Sequence, residues 1–127
     1  MNLALWIGAG ILAVIALAGG AVKTSAPKEK LAASPGGEWT RDVGAGAVKA
    51  LGALEILAAV GLVLPAATGV APVLVPVTAL CWVLLMAGAA TVHGRRGEHR
   101  FAALNLAYLA LAAFIAWGRL GPESFTG

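Results

Sequence analysis

The sequence predicts an all-α fold: a polytopic membrane protein built as an antiparallel bundle of four transmembrane helices. Three observations lead there. Of the 127 residues, 60% are hydrophobic and 12% charged, where soluble domains carry about 25% charged residues. The mean hydropathy is +0.88. The apolar residues also gather into four runs, residues 3–22, 43–64, 70–92 and 101–117, each near the roughly 20 residues a bilayer-crossing helix needs. The spans and their connections use almost the whole length, so residues 1–127 read as one membrane domain without a separate soluble part.

The first run, Leu3 to Val22, is uncharged, and its length at 1.5 Å per residue matches a hydrocarbon core of about 30 Å. A cleaved signal peptide is the competing reading because of Ala16-Leu17-Ala18. The missing basic start and the long apolar stretch speak for a retained span. The second run, Val43 to Leu64, carries Lys49 and Glu55, and Pro65 marks its end. The third, Val70 to Val92, has Pro72 and Pro76 near its start, where proline is best tolerated. The fourth, Phe101 to Trp117, closes with Trp117 and Arg119 as interfacial anchors.

The connector Lys23 to Asp42 reads as a polar loop, Pro65 to Gly69 is short and uncharged, and His93 to Arg100 is short and basic. The first and third lie on one side and hold Lys23, Lys28, Lys30, Arg41, Arg95, Arg96 and Arg100, with Arg119 opposite. The positive-inside rule therefore turns both termini away from the cytoplasm. The formal charge of +3 is thus a topology signal and not a nucleic-acid footprint, and the basic loops are expected to touch anionic headgroups. Short connections make consecutive helices antiparallel neighbours. In the second span Ala45, Gly52 and Ala59 repeat every seven residues, a small-residue face for close packing.

Glu55 is the most informative residue. It lies near the middle of its span, where an acid costs about 2.5–3.5 kcal/mol to insert, and it needs a partner or a proton. Its spacing from Gly52 and Ala59 turns it towards the bundle interior. Lys23, Lys49, His93 and Asn105 fall in the same half of the bundle as partner candidates. Lys49 is about 240° away on its own helix, so its stem snorkels to the interface. Asn105 and Tyr108 share a face of the fourth helix and form a polar stripe that reaches towards Glu55 or His93. The candidate site is therefore Glu55, His93, Asn105, Tyr108 and Lys23. It reads either as a proton path or polar ligand site, or as interhelical polar packing that fixes the bundle. His99 is a loop residue.

No metal site is expected, because His, Cys, Asp and Glu are too few and too scattered in depth. Cys81, the one cysteine, excludes an internal disulfide or a CxxC pair and reads as a packed small apolar residue.

Gly20-Ala21-Val22-Lys23, Glu55 with Gly61-Leu62-Val63-Leu64-Pro65, Met86 through Ala89 to His93, Gly97-Glu98, Asn105-Leu106 and Trp117-Gly118-Arg119 stand in an order and spacing that resembles the DoxX-like family of small four-helix membrane proteins. The resemblance covers nearly the entire chain and implies the four-helix fold and a bacterial inner (plasma) membrane. It also implies a range of roles, since the relatives include a quinone-reducing subunit, components of membrane oxidoreductase complexes and assembly chaperones. A fold carries over better than an activity. The sequence shows no haem-ligand pair and no flavin or dinucleotide fingerprint, so a redox role would be shared with a partner or use a bound quinone. The first expectation is a non-catalytic accessory or anchoring subunit of a larger membrane complex, such as a respiratory or oxidoreductase complex, with other subunits or further copies of itself as partners. The alternatives are a quinone-linked oxidoreductase component that uses Glu55 and His93 for protons, and a small-solute or proton-coupled transporter.

Overall fold

The structure, a computed structural model, describes residues 1–125. It consists of α1 (Asn2–Ser25), a short α2 (Lys28–Ala32), a 3-10 turn (Glu38–Asp42), α3 (Ala45–Thr68), α4 (Leu74–Arg95) and α5 (His99–Leu120), with no strand among the described residues. The four long helices α1, α3, α4 and α5 are long and apolar enough to cross a membrane. Every backbone N–H and C=O at membrane depth must be satisfied within its own segment, and a helix does so.

The helix ends depart from the expected boundaries for local reasons. α1 runs on to Ser25, where the hydroxyls of Thr24 and Ser25 donate back to the carbonyls of Gly20 and Ala21 and so satisfy themselves within the helix. α3 does not stop at Pro65 but continues to Thr68. So near the helix end a proline removes one backbone hydrogen bond without ending the helix. Thr68 Oγ1 then donates to the Leu64 carbonyl at 2.8 Å, and Gly69, left-handed at φ 73°, ends the helix. α4 begins at Leu74, beyond the expected start at Val70, once the tight turn through Ala71 and Pro72 has been made. α5 begins at His99, which is therefore helical and not a loop residue, and ends at Leu120.

The expected polar loop is a packed cap. Leu31, Ala32 and Thr40 are buried, and Gly36 adopts φ 80° where a Cβ would lie 2.9 Å from the Phe101 ring. Only a glycine allows both that backbone and that approach.

In the bundle α1 lies against α3 and α5, and α4 lies against α5 and α3. Leu5, Leu12, Leu62, Val75, Ala79, Trp82 and Ile115 fill the interior. Leu3, Val14, Leu54, Leu84 and Leu106 point outward, as lipid-facing side chains do. The small-residue packing is narrower than expected: Gly52 and Ala59 are buried but Ala45 is exposed. At the α1–α3 crossing a Cβ on Gly20 would lie 2.6 Å from the Gly52 carbonyl oxygen, so the two backbones touch. α3 meets α4 at Gly61, where a Cβ would lie 2.5 Å from Thr78 Oγ1.

Candidate functional site

The glycine contact between α1 and α3 positions the central polar pair. With Gly20 against Gly52, the last turn of α1 lies beside the first half of α3, and Lys23 reaches Glu55. Lys23 Nζ stands 2.9 Å from Glu55 Oε1 and 3.2 Å from Oε2. Glu55 is buried, at 5% exposure. Gly19 completes the approach, since a Cβ there would lie 2.8 Å from Glu55 Oε2. The lysine neutralises the acid, with both carboxylate oxygens within reach of its ammonium. Such a pair in a low-dielectric interior is costly to break by removing one member. Lys49 is not part of it: its Nζ donates to the Thr24 carbonyl at 3.0 Å on the exposed side of the same crossing.

Beyond the pair, α3 and α4 do not close on each other. They leave a cavity of about 430 Å³ lined by Lys23, Trp39, Glu55, Met86, His93 and Asn105, among others. The loop cap forms its roof through Gly36 and Trp39. His93 is buried, and its Nδ1 is held 2.8 Å from Glu98 Oε1. An ionised carboxylate only accepts, so it fixes the ring hydrogen on Nδ1. Among the described residues Nε2 has no hydrogen-bond partner. Neither do the Asn105 amide and the Trp39 indole N–H. The Phe101 ring packs on His93 with centroids 5.5 Å apart.

Glu98 in turn receives Arg96 Nε at 3.4 Å, while Arg96 Nη1 donates to Asp42 Oδ2 at 3.0 Å. The His93 hydrogen bond, helped by the charges of His93 and Arg96, holds the Glu98 carboxyl below its ordinary range against a smaller opposing effect of burial. A chain of polar contacts thus leads from the cavity wall to the connector at the bundle's basic end.

Four of the five candidate residues, Lys23, Glu55, His93 and Asn105, line this cavity. Tyr108 does not; it packs against the apolar core, because its spacing of three from Asn105 carries it one turn deeper. Trp39, Leu51 and Glu98 were not foreseen. The signal for Trp39 was a lone aromatic in an otherwise polar connector, and for Glu98 it was a carboxylate five residues after a buried histidine. Cys81 corrects another expectation. It is exposed and lines a second cavity of about 410 Å³ with Leu51, Leu54, Leu57, Val77, Trp82 and Leu85. No cluster of three or more metal-binding side chains occurs among the described residues.

The opposite end holds a different buried charge. Arg119, expected as an interfacial anchor, is 4% exposed. Its Nη1 donates to Asn2 Oδ1 at 2.8 Å and to the Glu123 carbonyl at 3.0 Å, and its guanidinium lies 4.0 Å from the Phe125 ring centre. It ties the start of α1 to the end of α5, whereas Trp117 remains exposed.

Set beside known proteins, residues 7–115 match a family model described as the DoxX-like family, which takes in nearly all of the four long helices. Neither the curated proteins nor the solved structures yield a match.

Proposed function

Since the chain belongs to the DoxX-like family, we propose that it is a quinone-binding subunit of a membrane oxidoreductase complex, with the ring of the quinone in the α3–α4 cavity. The observation that supports this most is the cavity's lining. An ammonium, a carboxylate, an imidazole and an amide surround one apolar space, and three of its polar walls have unused hydrogen-bonding atoms. Lys23, Asn105 and Trp39 donate to carbonyl oxygens. His93, oriented by Glu98, and Glu55, paired with Lys23, handle protons. Reduction joins one quinone, two electrons and two protons into one quinol. The electrons come from a partner subunit, because this chain carries one cysteine and no metal-binding cluster among its described residues. The basic end faces the cytoplasm of a bacterial inner membrane by the positive-inside rule, so His93 and Glu98 draw protons from that side.

The packed interior of Leu5, Leu12, Ala79 and Ile115 favours sideways access from the bilayer over a path through the bundle. The test is a titration of protein in nanodiscs with a benzoquinone bearing a single isoprene unit, followed by tryptophan quenching. Saturable quenching that weakens about tenfold in Asn105→Leu is expected, the size of one lost hydrogen bond to a buried group. Quenching that is linear, or equal in both proteins, would reject the site.

A further inference from the structure

The two cavities are neighbours. Leu51 on α3 and Leu85 on α4 line both, so a polar space and an apolar one adjoin along the α3–α4 seam, which changes character along its length. At the basic end it carries Lys23, Glu55, His93 and Asn105. Past Leu85 it carries Leu54, Leu57, Ala58, Val77, Cys81 and Trp82. Along α4 this second part runs from Leu85 back to Val77, about 12 Å at 1.5 Å per residue. Thr78 against Gly61 closes the interior side. Leu54 and Leu57 are 61% and 65% exposed at its rim, so the groove opens towards lipid.

We infer that this second cavity is the seat of the ligand's hydrocarbon chain: the site takes an amphipathic molecule whose polar ring sits under Trp39 and whose prenyl tail leaves the protein between α3 and α4, past Cys81. The inference rests on the quinone reading of the polar end and adds the tail to it. A polar head alone would leave the adjoining apolar cavity unused, while a lipid chain alone would leave the His93, Asn105 and Trp39 atoms without partners.

The experiment compares two benzoquinones, one with a single isoprene unit and one with several, on the wild-type chain and on Cys81→Phe, with Leu106→Phe on the outer face of α5 as the control for an added aromatic. Cys81 and Leu106 both face outward, so neither substitution disturbs the core. Binding is read by tryptophan quenching in nanodiscs of saturated phospholipid. Cys81→Phe is expected to weaken the long-tailed quinone about tenfold and to leave the short-tailed one unchanged, and Leu106→Phe is expected to change neither. Equal binding of the long-tailed quinone to wild type and Cys81→Phe overturns the tail site while leaving the ring site standing. Failure of the short-tailed quinone to bind any of the proteins rejects the ring site instead. A second readout places the chain directly. A long-tailed quinone carrying a diazirine on its second isoprene unit should crosslink to residues 54–58 and 77–82. Crosslinks spread over Leu3, Val14 and Leu106 as well would mean that the chain lies in bulk lipid, and would overturn the inference.

Discussion

Each end of the bundle buries a charge, and the two do so by opposite means. At the basic end Glu55 meets an opposite charge in Lys23, and the helices around the pair leave a cavity of about 430 Å³ whose walls carry unused polar atoms. At the other end Arg119 meets an amide oxygen, a backbone carbonyl and an aromatic face, beside a cavity of about 130 Å³. One end neutralises its charge and keeps space beside it. The other folds its charge into the link between the chain's two ends. A buried charge alone therefore does not mark a site; space and unspent hydrogen-bonding capacity beside it do.

The difference can be broken most sharply at Lys23. Replacing it with Ala leaves Glu55 buried without its cation, and a broken buried pair costs about 3–5 kcal/mol. Partial exposure of the lysine puts the expected loss of unfolding free energy at the lower end, about 3 kcal/mol, in detergent denaturation. Recovery in Lys23→Ala/Glu55→Ala would show that the loss comes from the stranded acid. At the other end Arg119→Ala should cost about 2 kcal/mol by removing hydrogen bonds from a charged donor, while quinone affinity stays within twofold. A large loss of affinity there would dissolve the contrast between the ends.

Gly20→Ala should cost about 1–3 kcal/mol through overpacking against the Gly52 carbonyl, and it should weaken quinone binding by pulling Lys23 away from Glu55. The smallest effects belong to the outer polar chain. Because Glu98 sits below its ordinary pKa of 4.5, its contribution is complete above that value and is lost as pH falls through the lower value it has in the folded protein. The cap should then loosen in acid, below about pH 4.5, seen as faster proteolysis of residues 26–44; no change on acidification would uncouple Glu98 from the cap. Asp42→Asn, which breaks an exposed pair with Arg96, should change stability by about 0.5 kcal/mol or less.

The four spans were legible because lipid imposes one rule on every residue in them. Length and hydropathy suffice when the backbone must satisfy itself. Glu55 was legible for the same reason, as a polar residue where the solvent forbids one, and Lys23 stood among four possible partners. What selected Lys23 over Lys49 was the backbone contact of Gly20 with Gly52, a tertiary fact that residue spacing within one helix does not contain. The α3–α4 groove was not legible at all, since Leu54, Leu57 and Cys81 have the same sequence signature whether they face lipid, a ligand or a core. Pro65 shows the complementary error. It has a common meaning, helix end, that its surroundings override.

The claim on which the account turns is that the Lys23–Glu55 pair serves a ligand and not the fold. Its most direct test is Lys23→Met/Glu55→Met, which removes both charges together while keeping the side-chain volume. Replacing a buried pair by apolar groups is often neutral for stability, so the thermal midpoint should stay within a few degrees of wild type, about 1 kcal/mol for a chain of this size. The Kd for the short-tailed quinone, measured on the same samples, should rise at least tenfold. An unchanged Kd, with the protein folded, would contradict the account.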